Sequence, residues 1–476
     1  MQMIINGTLA DASDGNTFEV TNPANGLLVD TVPDASNADV ERCLAAASAA
    51  RRLWRDTPLP QRAEIIRKWV ALILEKRQEL AVLHSREMGK PINEAFGEIG
   101  DCADVAGSYV ERALHMYEII MPESGGLEKD LIFTRREPLG VVLCIIPFNY
   151  PAYILAHKIT PALLMGNTVI VKPPSTNPLL DCRLAALLAE AGVPAGVIQI
   201  LTGSGARLSE KLIPDSRIHA VAMTGSTEVG IDVAAKSAST LHRVMLELGG
   251  NDPMIVFDDA DLDLAVEEAY NGRIVNAGQT CCAPKRFIVQ KGVKDAFVAK
   301  LKAKLEATKV GDPADTSNRM GCLVSEKAAI ECEKSVEHTI KQGAKLVCGG
   351  KRYDKTFYAP TLLDNVTADM DVARDLEIFG PVFPVIAFET EQEAVDIANQ
   401  TIFGLNGGVV TRDIARGMRV IAQMECGTTV INGSGNYRHK DHAFGGYKMT
   451  GYGREGISAT LEEMSQVKTC FLRKVF

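Results

Sequence analysis

From about residue 139 onward the chain alternates short apolar runs with stretches of helical spacing, and no other feature narrows its possible folds so far. The runs at 141–146, 168–171, 197–201, 219–223 and 254–257 have strand length, with helical stretches between them. That βαβ rhythm predicts a parallel sheet buried beneath helices. A second alternating region follows Cys281, with apolar runs at 287–289, 345–347, 382–388 and 428–431, and it predicts a second α/β domain. Ahead of both, residues 36–120 read mostly as helix. Ser36 and Asp39 stand at capping-box spacing, and 61–88 carries apolar residues at helical intervals until Gly89 and Pro91 stop it.

At roughly 150 residues per domain, a chain of 476 residues makes about three structural units. With 46% hydrophobic and 23% charged residues it reads as an ordinary globular protein, which excludes disordered and disulfide-scaffold classes. Basic residues number 51 against 60 acidic ones, for a net charge of −9, the wrong sign for a nucleic acid or an anionic membrane as general partner. No stretch approaches the roughly 18 apolar residues of a membrane span, and the N-terminal residues lack the pattern of a signal peptide. A cytoplasmic protein is expected. The 11 cysteines are scattered and odd in number, which suits buried reduced thiols better than a disulfide framework. With no Cys-x-x-Cys and no His-Glu-x-x-His, no metal site is expected.

Four segments carry chemistry. In Asn276-Ala-Gly-Gln-Thr-Cys281-Cys-Ala-Pro-Lys a cysteine follows a glycine-containing turn, where a thiol can face a cleft and act as nucleophile. In Leu246-Glu247-Leu-Gly-Gly a carboxylate is followed by two glycines that leave room for water, a place for a general base. Asn149, between Pro147 and Pro151 at the end of an apolar run, is placed to donate to a developing oxyanion. Thr224-Gly225-Ser226-Thr-Glu-Val229-Gly joins an apparent strand to an apparent helix, an arrangement that holds phosphate. The first three also have plainer readings, as a buried thiol, a strand-end charge and a turn amide. Gly203-Ser-Gly205-Ala-Arg-Leu208 fails as a Rossmann fingerprint because Leu208 stands where the third glycine belongs, and no P-loop occurs.

Order decides among these readings. Pro-Phe-Asn149-Tyr-Pro, Val-Lys172-Pro-Pro, Gly-Ser-Thr, Glu247-Leu-Gly-Gly, Gly-Gln-Thr-Cys281 and Glu377-Ile-Phe379-Gly-Pro follow one another, and Phe444-Gly-Gly-Tyr-Lys-Met-Thr-Gly and Gly453-Arg-Glu455 close the series. Taken together the chain resembles the aldehyde dehydrogenase superfamily and is similar to its hydrolytic lactaldehyde and succinate-semialdehyde types. The resemblance implies an α/β fold with a modified Rossmann cofactor domain (1–122 and 141–247), an α/β catalytic domain (248–450) and a small β extension (123–140 and 451–476). The extension would bridge the subunits of a homodimer or homotetramer. The terminal alternation at 469–476 reads as an edge strand, exposed unless another chain covers it.

The resemblance also implies roles. Cys281 attacks the aldehyde carbonyl, the Asn149 side chain and the Cys281 backbone N–H hold the oxyanion, and hydride leaves for a nicotinamide. Glu247 activates the water that hydrolyses the resulting thioester. Lys158 and Glu455 relay protons or form a structural ion pair. The cofactor, NADP and/or NAD, is expected against Ile145, Ile146, Phe148, Lys172, Ser175, Gly205, Gly225, Ser226, Val229, Glu377 and Phe379. Ser209 stands where relatives carry a further glycine. NAD-specific relatives carry Glu where Ser175 stands, so the repulsion of a 2′-phosphate is absent and NADP use is expected alongside NAD. His157 and Val275 replace arginines of succinate-semialdehyde relatives, which disfavours a dicarboxylic semialdehyde. His157 and Arg438, the latter in a cationic run at 436–442, are the expected substrate contacts, for a small hydroxy-, phospho- or sulfo-aldehyde such as lactaldehyde, glycolaldehyde or sulfoacetaldehyde. Transfer of the thioester to coenzyme A, and a non-catalytic protein on the same fold, are the alternatives. Retention of Glu247 and Cys281 speaks against both.

Overall fold

The structure, a computed structural model, describes residues 1–122, 127 and 129–476. Two large sheets organise the chain. The first has eight strands, and its centre is parallel: Arg243–Glu247, Ala220–Thr224, Val141–Ile145, Thr168–Lys172 and Ile198–Ile200 lie side by side in that order. The reason these runs contain so few polar residues lies in the pleat. Val142, Cys144, Val169 and Val171 pack into one core, while Val141, Leu143, Ile170 and Val221 pack into another on the opposite face. The second sheet has seven strands around Pro284–Gln290, all parallel except the edge pair Lys345–Cys348 and Thr361–Val366, and it has its own core.

The helical start forms as its caps predict. Ser36 and Asp39 close a capping box on helix Asn37–Asp56, and Gly89, at φ 83°, ends helix Arg77–Met88 in the left-handed conformation that glycine tolerates best. The single helix expected at 61–88 is two, Leu59–Glu75 and Arg77–Met88, which bend at Lys76. Two N-terminal strands, Met3–Ile5 and Thr8–Ala10, extend the first sheet through a hairpin whose two loop residues, Asn6 and Gly7, both have positive φ.

A third, two-stranded sheet pairs Leu131–Pro138 with Ser465–Leu472, antiparallel from Ser465 opposite Pro138 to Leu472 opposite Leu131. Of the stretch expected to form an extension, residues 123–126 and 128 lie outside the described residues. The segment at 451–476 divides. Gly451–Tyr452 pairs with Arg243–Glu247 at the edge of the first sheet, and Ile457, Leu461 and Met464 enter that sheet's core, so only the final strand leaves the body of the molecule.

Along the first sheet, strands after Val141–Ile145 proceed outward on one side, and Ala220–Thr224 returns on the other. Ligands of open α/β sheets bind outside the carboxyl ends of the strands at such a reversal.

Candidate active site

Three side chains meet at that reversal. Glu247 is the last residue of its strand, Asn149 follows strand Val141–Ile145, and Cys281 approaches from the second sheet, on the loop that leads into Pro284–Gln290. All three line one cavity of about 480 Å³, with Thr280, Tyr153 and Arg438 among the other walls.

The loop that carries Cys281 is built from unusual backbone. Asn276, Ala277 and Gly278 are consecutive left-handed residues at φ 52°, 53° and 76°. A side-chain-bearing residue there ordinarily costs about 1–2 kcal/mol, and a closed set of hydrogen bonds offsets it. Asn276 Nδ2 donates to Asn149 O at 3.1 Å and to Gln279 O at 3.2 Å, Gln279 Nε2 donates to Asn276 O at 3.0 Å, and Gln279 Oε1 accepts from Val324 N at 2.9 Å. One amide side chain thereby holds the Asn149 and Cys281 segments together. Two buried lysines grip the same segments by their carbonyls. Lys90 Nζ donates to Asn149 O at 2.7 Å and pairs with Glu98, and Lys285 Nζ donates to Cys281 O at 2.5 Å and pairs with Glu377 at 3.2 Å.

Among the described residues neither oxygen of the buried Glu247 carboxylate finds a well-formed hydrogen bond. Burial raises its pKa to about 7; the Glu455 charge adds to the effect, while the Cys281 thiol, Arg438 and Lys158 oppose it. The Cys281 thiol is raised as well, by its hydrogen bond with Cys282, by burial and by the Glu247 carboxylate. Cys281 therefore rests protonated beside a carboxylate that is close to half ionised at neutral pH. Cys282 lines the same cavity, its thiol donating to Asn436 Oδ1 at 3.1 Å.

Lys158 Nζ stands 3.5 Å from Glu455 Oε1, and Arg438 makes a short hydrogen bond to the other Glu455 oxygen. Burial pushes Glu455 up, but the Arg438 and Lys158 cations outweigh it and hold the pKa at about 2. Arg438 lies 4.1 Å from the centre of the Phe444 ring and 4.9 Å from that of Tyr153. His157 corrects an expectation: it does not line the cavity. It is fully buried, its Nδ1 is 2.9 Å from the Tyr109 hydroxyl, and its ring meets Tyr153 edge-on at 4.6 Å. Burial drives its pKa to about 3, so it is a neutral packing residue, and Tyr153 presents the cavity wall in its place.

Residues 10–470 match the sequence profile described as the Aldehyde dehydrogenase family. This chain belongs to the aldehyde dehydrogenase family. It is 38% identical over 469 residues to a 3-sulfolactaldehyde dehydrogenase of Pseudomonas putida, covering 98% of this chain and 96% of the relative. The NADP(+) succinate-semialdehyde dehydrogenase of Escherichia coli K12 is also 38% identical, with the same coverage. Among solved structures, an E. coli NADP-dependent enzyme superposes with a TM-score of 0.96 at 37% identity, covering 99% of this chain and 98% of that one. A 3,6-anhydro-L-galactose dehydrogenase in complex with NAP superposes with a TM-score of 0.95 at 35% identity, covering 99% of both chains.

In this aldehyde dehydrogenase the residues expected at the cofactor cluster around the same strand ends. Lys172 ends strand Thr168–Lys172; its Nζ donates to Ser175 Oγ at 3.0 Å, and Ser175 donates onward to Gly203 O at 2.9 Å. Burial lowers the Lys172 pKa to about 8. Ser175 caps no helix, because helix Leu179–Glu190 begins only after Pro178. Gly205 opens helix Gly205–Leu212, where an added Cβ would come within 3.7 Å of Lys172 Nζ, and Ser209 sits inside that helix. Ser226 caps helix Thr227–Ala238 by accepting from Val229 N at 3.4 Å, and Gly225 N donates to Glu247 O at 3.1 Å. Ile146 N donates to Lys172 O at 3.0 Å just beyond Ile145, and Phe148 meets Phe379 edge-on at 5.9 Å. A cation, a hydroxyl and two helix N-termini suit a phosphorylated ligand. Glu377 and Phe379 suit the sugar and flat ring of its other end.

Proposed function

We propose that this chain oxidises a small aldehyde to the carboxylic acid by covalent catalysis, with Cys281 as nucleophile, Asn149 as oxyanion donor and Glu247 as base. One observation carries the reading: a thiol, an amide and a buried carboxylate that makes no well-formed hydrogen bond among the described residues line one cavity. Glu247 takes the proton of Cys281, for which its pKa of about 7 suits it. The thiolate adds to the aldehyde carbon, and the oxygen that gains the charge is held by the Asn149 amide and the Cys281 backbone N–H. A nicotinamide dinucleotide held by Lys172, Ser175, Gly205, Ser226, Glu377 and Phe379 supplies the acceptor for the hydride that this adduct gives up as it becomes a thioester. Glu247 then removes a proton from water, the hydroxide adds to the thioester carbon, and the acid departs as Cys281 regains its thiol. The Lys158–Glu455 pair lies on the path by which Glu247 sheds its proton.

NADP use alongside NAD rests on the Lys172–Ser175 pair, a cation and a hydroxyl in contact, with Ser175 in place of the glutamate that would repel a 2′-phosphate. Arg438 in the cavity wall, with its charge shared with Glu455, supports a small hydroxy-, phospho- or sulfo-aldehyde as substrate. The name of the Pseudomonas relative, a 3-sulfolactaldehyde dehydrogenase, agrees with that class. All 11 cysteines are free thiols, which suits the cytoplasm, and no helix among the described residues is long and apolar enough to cross a membrane. The exposed side chains of Val467, Phe471 and Leu472 on the two-stranded sheet support a homodimer or homotetramer. The test is absorbance at 340 nm with a panel of aldehydes and both cofactors, with and without coenzyme A. Reduction independent of coenzyme A, fastest with an anionic or hydroxylated aldehyde, is expected. Strict dependence on coenzyme A would replace water by a thiol as the acceptor.

A further inference from the structure

Lys285 begins four residues after Cys281, and its side chain is only 1% exposed. Its ammonium has two partners from different parts of the site: Cys281 O at 2.5 Å and Glu377 Oε1 at 3.2 Å. Glu377 Oε1 also accepts from Gly250 N at 3.3 Å, and Lys285 Nζ lies 5.9 Å from the centre of the Phe379 ring. The other charged group near this ammonium is Asp252, which it draws downward against the effect of burial. Around Cys281 stand Cys282, Glu247, Arg438 and Lys285 itself.

We propose that Lys285 is a positioning residue that couples occupancy of the cofactor site at Glu377 to the placement and ionisation of the Cys281 thiol. It rests on Cys281 as nucleophile and Glu377 as cofactor ligand. An ammonium out of water cannot lose half its partners cheaply, so a ligand hydroxyl that draws on the Glu377 carboxylate shifts the share of charge that Lys285 gives to the Cys281 carbonyl. A coupling of this kind is reciprocal: what the cofactor does to the thiol, modification of the thiol does to the cofactor.

The experiment uses the full-length protein, iodoacetamide as probe, and peptide mass spectrometry to follow Cys281 apart from the other thiols. Alkylation rates are measured from pH 6 to 10, with and without NADP, for wild type, Lys285→Met, Lys285→Gln and Lys285→Arg. In the wild type NADP changes the Cys281 rate severalfold. In the Met and Gln variants the rate midpoint moves to higher pH, because a cation beside the thiolate is gone, and the NADP response shrinks below twofold. Lys285→Arg restores both. Should neither neutral variant fold by circular dichroism, Glu377→Gln carries the test: the NADP response is lost while the midpoint moves to lower pH. A wild type without any NADP response overturns the inference, and so does a folded neutral variant with wild-type midpoint and response, or Glu377→Gln with an unchanged response. Failure of the underlying reading shows elsewhere, as aldehyde oxidation that survives in Cys281→Ser.

Discussion

Glu247 owes its suitability as a base and its cost to the fold to the same burial. A carboxyl whose pKa is raised from 4.5 to about 7 binds its proton more readily folded than unfolded. Stability therefore falls as pH climbs through that window, and the full cost of about 3 kcal/mol is present above it. Glu247→Gln is expected to raise the melting temperature by several degrees at pH 8 and to leave it unchanged at pH 4, by thermal denaturation at both values. Equal effects at the two pH values would show that the carboxylate is not strained by burial. Ser175 makes a second expectation. In Ser175→Glu a carboxylate would stand beside Lys172 and against a 2′-phosphate, so kcat/KM with NADP should fall roughly tenfold or more relative to NAD, since about 1.4 kcal/mol suffices for a tenfold change. Steady-state kinetics with both cofactors checks it. At this scale the meeting of Cys281, Glu247 and Asn149 in one cavity was legible, because each sits in a short pattern whose order along the chain is itself informative. His157 was not, because nothing in its neighbours says that Tyr109 and Tyr153 enclose it. Lys285 does carry a signal: with Arg286 it puts two cations ahead of the apolar run Phe287–Val289 in one strand, where burial demands partners.

The loop at 275–282 shows what an element contributes beyond its residues. Gly278 lies at φ 76° with the Gly380 carbonyl where a Cβ would be, and Pro381 N only 2.9 Å from that position. Gly278→Ala should cost at least about 2 kcal/mol, from left-handed strain plus overlap with backbone that cannot move aside. Gly292→Ala is the control, on helix Lys291–Glu306 with nothing closer than 3.9 Å, and should be neutral or stabilising. Thermal denaturation of the two variants makes the comparison, and equal behaviour would remove the close approach from the account. Thr17–Thr21, Leu28–Pro33, Arg243–Glu247, Thr361–Val366 and Asn406–Val410, whose runs are broken by polar residues or glycines, were not read as strands. Val141–Ile145, Thr168–Lys172, Ala220–Thr224, Asp252–Val256 and Val382–Phe388 were read at nearly their true positions, since burial on both faces writes itself as an apolar run. The strands of three residues at the N-terminus are too short for that, although Asn6-Gly7 is the sequence of a tight hairpin turn. The break at Lys76 leaves no mark either, because apolar spacing continues across it while the backbone steps out of register.

For the molecule as a whole, the two sheets bring residues more than a hundred positions apart into one cavity, and the third sheet faces outward. Val467 and Phe471 are 57% and 56% exposed on that strand. Val467→Asp with Phe471→Asp should shift the proposed oligomer to a smaller species in sedimentation, and an unchanged mass would remove this strand from the proposal. The division of the last 26 residues between the first sheet and the outer strand was not legible, because Gly451–Tyr452 is recognisable only through its pairing with Arg243–Glu247. The central claim is that Cys281 carries the acyl group and Glu247 removes it, and one measurement reaches it directly. Glu247→Gln is mixed with aldehyde and NADP, quenched within seconds and mapped by peptide mass spectrometry. A neutral amide cannot take a proton from water at pH 7, so the account predicts an acyl adduct on Cys281 with little further turnover. Wild-type turnover with no adduct on Cys281 would contradict it.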